Sequence, residues 1–179
     1  MEIKLILNAD DYLTYHLYIA SQSKTQENKR YRSWVLLTIS SFALSYVLKN
    51  NDKFLTWYFL FVGFLCLIFY PFYQRYYYKK HYRKFVNEKL QYKFGKENNI
   101  DFGKDAIYSK SATGEGRINS AEIAEIIEIG THYFLKFKSG DSLIIPKALI
   151  KNELFVPELM AVLQNPAIIL TKQLNWKWK

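Results

Sequence analysis

Three histidines and one cysteine are the residues of this 179-residue chain best suited to hold a metal or serve as a nucleophile, and their spacing argues against both roles. His16, His81 and His132 fall in three separate segments, and no pair has the i, i+3 or i, i+4 spacing that sets two ligands on one helix face. His132, beside Thr131, reads as a solvated turn residue. Cys66 stands alone in an apolar run, so it can form neither an intramolecular disulfide nor a thiolate cluster and behaves as a small hydrophobe. No G-x-S-x-G, H-E-x-x-H or Walker-type loop occurs. Gly114-Glu115-Gly116 is too short to cradle a phosphate and reads as a hairpin turn. Asp101, Asp105, Glu122, Glu125 and Glu128 single out no acid–base pair, although Glu125 and Lys136 could face each other on neighbouring strands. The expectation is a protein without catalytic residues, metal or cofactor, and so not an enzyme.

The elements that carry these residues follow from composition. Tyr, Phe and Trp make up 18% of the chain, and many cluster between Tyr46 and Tyr82. The formal charge of +9 points either to nucleic acid or to an anionic membrane surface, so the location of the charge must decide. Two charge-free runs settle the matter: Trp34–Leu48 and Phe54–Tyr73. About 20 helical residues cross a hydrocarbon core of ~30 Å, so the second run suffices alone. The first spans about 22 Å and reaches across only if Arg32 and Lys49 extend their charges to the interfaces. The polar turn between them, Lys49 to Lys53, forces an antiparallel hairpin. Neither run has a polar face, which a helix of a soluble domain normally shows. Pro71 is expected to kink or end the second helix. No cleavable leader precedes the first run, so the spans are expected to persist in the mature protein.

Basic residues outnumber acidic ones on both outer flanks. Lys24, Lys29, Arg30 and Arg32 precede the first run, and Arg75, Lys79, Lys80, Arg83 and Lys84 follow the second. Both termini are therefore expected on the cytoplasmic side. Residues 74–89 read as a basic, aromatic helix at the membrane surface. Arg32, Arg75, Lys79, Lys80, Arg83 and Lys84 are the expected contacts with anionic headgroups, and topology explains their charge without nucleic acid. Ser41 and Ser45 form a small-xxx-small pair facing Gly63 at similar depth, a close helix contact for which packing between copies, in a homo-oligomer, is the competing use.

Residues 1–32 are expected to hold a strand (Glu2 to Leu7) and then an amphipathic, increasingly basic helix capped by Asn8 or Asp10. Residues 90–165 change character, as short β-type runs alternate with turn residues. Leu90–Phe94, Ile100–Phe102, Ala106–Ser109, Arg117–Asn119, Ile123–Ile129, Tyr133–Lys138 and Leu143–Ile145 are the strand candidates. Tyr133, Leu135 and Phe137 share one face, and Pro146 stops the last strand. Asn152–Gln164 reads as a short helix with Pro157 in its first turn. Together these describe a small curled antiparallel sheet with one helix packed across it. The tail, 166–179, is apolar and then basic; it suits the membrane surface, a strand or a frayed end equally.

This order of parts resembles the YcxB-like family of small bacterial membrane proteins. The resemblance rests on the Asp11-Tyr12 helix start, the hairpin, the run I-x-E-I-I-E (Ile123 to Glu128), the strand Y-F-L-K-F, the stop I-I-P-K (Ile144 to Lys147) and the lead-in K-N-E-L-F (Lys151 to Phe155). It implies a C-terminal pleckstrin-homology-like barrel and a bacterial inner-membrane location, but no particular activity.

The expected fold is thus an α+β membrane protein: a transmembrane helical hairpin (33–73) carrying a small antiparallel, barrel-like cytoplasmic domain closed by a C-terminal helix. The expected role is a non-enzymatic membrane protein that presents this domain to a protein partner or to the bilayer. A membrane immunity protein against a membrane-active toxin and a membrane-surface hydrolase are the alternatives.

Overall fold

The computed structural model describes residues 1–111, 114–150 and 154–178. Its elements are β1 (Glu2–Ile6), α1 (Ala9–Gln22), α2 (Lys24–Leu48), α3 (Lys53–Leu90), β2 (Glu97–Phe102), β3 (Ala106–Ser111), β4 (Gly114–Asn119), β5 (Ile123–Ile129), β6 (His132–Phe137), β7 (Ser142–Pro146), α4 (Phe155–Leu163) and β8 (Ile169–Gln173). The chain divides into a β unit, residues 1–15 and 85–177, and a helical unit, residues 16–84 with Trp178.

In the β unit the strands form two four-stranded sheets, ordered β1-β2-β3-β4 and β7-β6-β5-β8. The expected barrel is not closed. The first sheet is wholly antiparallel, whereas the second gains one parallel pair, β5 with β8. β1 pairs with β2 in a register that sets Ile3 opposite Ile100, so the N-terminal strand is part of this unit. The segment read as a tail supplies β8. Leu90–Phe94, expected as a strand, is instead the end of α3 and a single 3₁₀ turn. A helix already nucleated extends at little cost, and this outweighs a short alternating pattern. Gly114-Glu115-Gly116 lies within β4, an exposed strand at the sheet edge, where glycines are tolerated.

One core joins the two sheets and α4. Leu5, Ile100 and Phe102 from the first sheet meet Ile126, Leu135 and Ile145 from the second, with Phe155, Val156 and Leu159 of α4. The expected face of Tyr133, Leu135 and Phe137 points into this core. The alternate face of β6 is buried as well, because Tyr15 of α1 packs edge-on against Phe134, with centroids 5.3 Å apart. α4 ends at Gln164, whose left-handed conformation (φ 47°) lets its N–H close on the Met160 carbonyl. The lead-in Lys151–Glu153 lies outside the described residues.

In the helical unit α2 begins at an N-cap, Ser23, whose hydroxyl accepts from the Gln26 N–H. Its last turn leads into Lys49–Asp52, and Asp52 caps α3 by accepting from the N–H groups of Phe54 (2.8 Å) and Leu55 (3.1 Å). Pro71 lies inside α3 and does not end it. The basic aromatic segment is therefore the second half of the same helix. Of the two spans expected, α3 is long and apolar enough to cross a membrane, and among the described residues it is the one helix that meets that criterion. The apolar stretch of α2 is interrupted by Thr38, Ser40, Ser41 and Ser45 and preceded by basic residues.

Candidate functional site

The outward surface of α3 is the first feature to consider. In its most apolar stretch only 6% of residues are buried, so large side chains such as Trp57, Phe61, Phe64 and Phe69 face outward. The residues buried along α2 are small and hydroxylic: Thr38, Ser41 and Ser45. The Ser45 hydroxyl donates to the Thr56 carbonyl on α3 at 2.8 Å, while that of Ser41 donates within its own helix to the Leu37 carbonyl. A Cβ on Gly63 would stand 2.9 Å from the Phe42 ring, so the absence of a side chain there sets how closely the helices approach. Further along, the Trp34 indole N–H donates to the Cys66 carbonyl at 3.2 Å. At the far end Gln74 is buried and donates to the Ser33 hydroxyl (2.7 Å) and the Arg30 carbonyl (3.1 Å).

Beyond Gln74 the basic residues begin. Arg32, Arg75, Lys79, Lys80, Arg83 and Lys84 are all exposed. Arg75 lies over the Phe72 ring at 5.6 Å. Arg30 lies over the rings of Tyr78 (5.7 Å) and Trp178 (5.1 Å), and the Trp178 indole N–H donates to the Arg75 carbonyl at 3.3 Å. The sequence places Arg30 among the flanking charges but gives no sign that Trp178 returns to it. His16 stacks on Tyr82, and burial lowers its pKa.

In the β unit the polar residues gather at the β5–β6 turn. His132 is buried, contrary to its expected place as a solvated turn residue. Its Nε2 lies 2.9 Å from Asp11 Oδ1, and its Nδ1 lies 2.8 Å from the Thr131 hydroxyl. The other Asp11 oxygen accepts the Asn8 N–H at 2.7 Å, at the start of α1. One carboxylate therefore starts a helix and clasps it to β6. Beside it, Lys147 of the I-I-P-K stop donates to Glu128 at 2.7 Å and covers the Tyr133 ring at 4.8 Å. Burial, reinforced by the Glu128 carboxylate, raises the Tyr133 pKa. Glu125 stands opposite Lys136 in register, yet it accepts the Thr171 hydroxyl of β8 at 2.6 Å.

Thr131, His132 and Asp11 follow the order hydroxyl, imidazole, carboxylate of a hydrolytic triad. The grooves of this unit lie elsewhere. One, of about 300 Å³, is lined by Asn99, Asp101, Tyr108, Lys110 and Glu115. The other, of about 660 Å³, runs between Lys104 and Lys138 and the end of α4 at Leu163–Ala167. Neither of these two grooves is lined by Thr131, His132 or Asp11, and the contacts the three residues make hold the start of α1 against β6. Among the described residues, no group of three or more His, Cys, Asp or Glu could hold a metal ion.

The fold and these contacts define a two-sheet domain with one packed helix, held by a buried polar clasp and attached to a long, outwardly apolar helix. Residues 102–155 match the family model described as YcxB-like protein. The match runs from the end of β2 to the start of α4 and contains the I-x-E-I-I-E, Y-F-L-K-F and I-I-P-K runs. His132 lies inside it, whereas Asp11 lies outside. No curated protein and no solved structure matches the chain.

Proposed function

We propose that this protein is a bacterial inner-membrane protein in which α2 and α3 both cross the bilayer, with both termini cytoplasmic, and that its YcxB-like domain is a non-enzymatic interaction module at the inner surface. The observation that carries the reading is the outward apolar surface of α3. A core helix of a soluble fold would bury those rings, whereas acyl chains solvate them without cost. α2 completes the hairpin: the Ser40 and Ser41 hydroxyls bond their own backbone, that of Ser45 bonds the α3 backbone, and that of Thr38 is buried, so none of the four need face lipid. The exposed Arg and Lys of the stem then meet anionic headgroups. Strand-turn-strand order with one closing helix supports a pleckstrin-homology-like reading of the domain, a scaffold that commonly presents loops or a sheet edge to a partner.

The test uses single cysteines in a Cys66→Ser background. Asn51→Cys should react with a membrane-impermeant maleimide in intact cells, and Thr25→Cys only after lysis. Equal labelling of both before lysis would remove the topology, and release of the protein by alkaline carbonate would remove the membrane reading altogether.

A further inference from the structure

β8 differs from every other strand of its sheet. None of its residues is buried, whereas β5 holds Ile123, Ile126, Ile127 and Ile129, and β6 and β7 are similarly filled. β8 pairs with β5 in parallel, and it follows α4 through the left-handed Gln164 and Pro166. Besides backbone pairing, the Thr171 hydroxyl donates to Glu125 at 2.6 Å, and the Lys172 ammonium lies 3.8 Å from Glu128, whose nearer partner is Lys147 at 2.7 Å. Its exit is tight, since a Cβ on Gly130 would stand 2.9 Å from the Leu174 carbonyl oxygen. The groove between Lys104 and Lys138 opens beside the start of β5, with Ile123 and Ala124 on one side and Ala167 and Ile169 on the other.

We propose that β8 is a displaceable cover, and that the β5 edge beneath it accepts, in parallel, an extended segment of a partner protein carrying a hydroxyl for Glu125 and, at the next position, a cation for Glu128. The strand ladder supplies affinity through main-chain hydrogen bonds, and the two carboxylates, on opposite faces of β5, select successive side chains. β8 buries too little apolar surface to hold the edge against a competitor of the same pattern. The assignment deepens the interaction-module reading and rests on it.

The experiment uses the full chain in detergent micelles and a fluorescent peptide with the sequence of residues 167–175 as probe. Thr171→Pro, which unseats β8, should bind the peptide at least tenfold more tightly than the unmodified protein, and adding Glu125→Ala, which removes the acceptor of the threonine hydroxyl, should cancel most of that gain. Equal affinity for a scrambled peptide, or no gain in the proline variant, overturns the proposal. Hydrogen exchange on the unmodified chain is independent of any variant's folding: amides of 169–173 should exchange at least a hundredfold faster than those of Ile126 to Phe134, and equal protection overturns it. Chains that pair through β8, and that the peptide separates, would assign the edge to a second copy and overturn the partner assignment. A chain soluble without detergent would sink the membrane reading while leaving the exchange result standing, so the two failures are distinguishable.

Discussion

In the β unit Phe102, Phe134 and Phe155 are fully buried, whereas in the helical unit Phe54, Trp57 and Phe72 are 77%, 70% and 62% exposed. The buried residues of α2 are Thr38, Ser41 and Ser45. The β unit closes its core over these three rings, whereas α2 buries hydroxyls and α3 turns its rings outward. Each arrangement is stable in a different solvent: water expels rings into a core, whereas lipid offers no such drive and leaves helix contact to small residues and hydrogen bonds. This contrast is what supports the proposed membrane reading of the helical unit.

The largest break in this contrast should come from the core. Phe155→Ala should cost about 3–5 kcal/mol in denaturant unfolding of the protein in micelles, whereas Phe61→Ala, on the outer face of α3, should cost less than about 0.5 kcal/mol. Similar losses at both positions would mean that α3 is packed against protein. Asp11→Ala should follow, at about 1–3 kcal/mol, because it leaves the buried His132 ring without its carboxylate and uncaps α1. A double-mutant cycle with His132→Ala should be strongly non-additive, since both single changes break one contact. Gly63→Leu should cost about 1–3 kcal/mol by forcing the Phe42 ring away, read as a lower melting temperature of the helical unit; an unchanged value would show that the helices do not meet there.

Smaller effects sharpen the comparison at the edges of the units. Burial favours neutral His16, so its folded-state pKa lies below the unfolded value of 6.5. Its contribution is complete above that value and is lost as pH falls below it. Between pH 7.5 and 5.5 the melting temperature should therefore fall less in His16→Phe, which retains a ring against Tyr82, than in the unmodified protein. At the exposed Lys110–Glu115 pair, where each group favours the charged form of the other, Lys110→Ala should leave the melting temperature unchanged.

Much of the local structure was legible because it has a local cause. Ile123–Ile129 and Tyr133–Lys138 are rich in β-branched or aromatic residues and are bounded by turn residues, Pro146 ends its strand, and the polar turn at Lys49–Asp52 can only reverse a chain. The rest depends on partners far away in sequence. Nothing near Glu2–Ile6 signals that β2 lies across an intervening helical segment, and nothing in Ile169–Gln173 signals a parallel partner. His132 shows the same limit at the candidate clasp. A histidine after Gly130-Thr131 reads as solvated until Asp11, 121 residues away, is seen to cover it. The Asp11-Tyr12 helix start was noticed, but its role required the tertiary contact. Gly114-Glu115-Gly116 misled because glycines usually mark turns, whereas an exposed edge strand packs no side chain there.

The medium around Phe54–Tyr73 is the central claim, and a nitroxide attached at Phe61→Cys in a Cys66→Ser background, with the protein in bilayers, reports it directly. Collisions with dissolved oxygen should be frequent and those with a water-soluble nickel chelate rare, as at the depth of acyl chains. Frequent nickel collisions, or a label shielded from both reagents as in a protein core, would contradict the account.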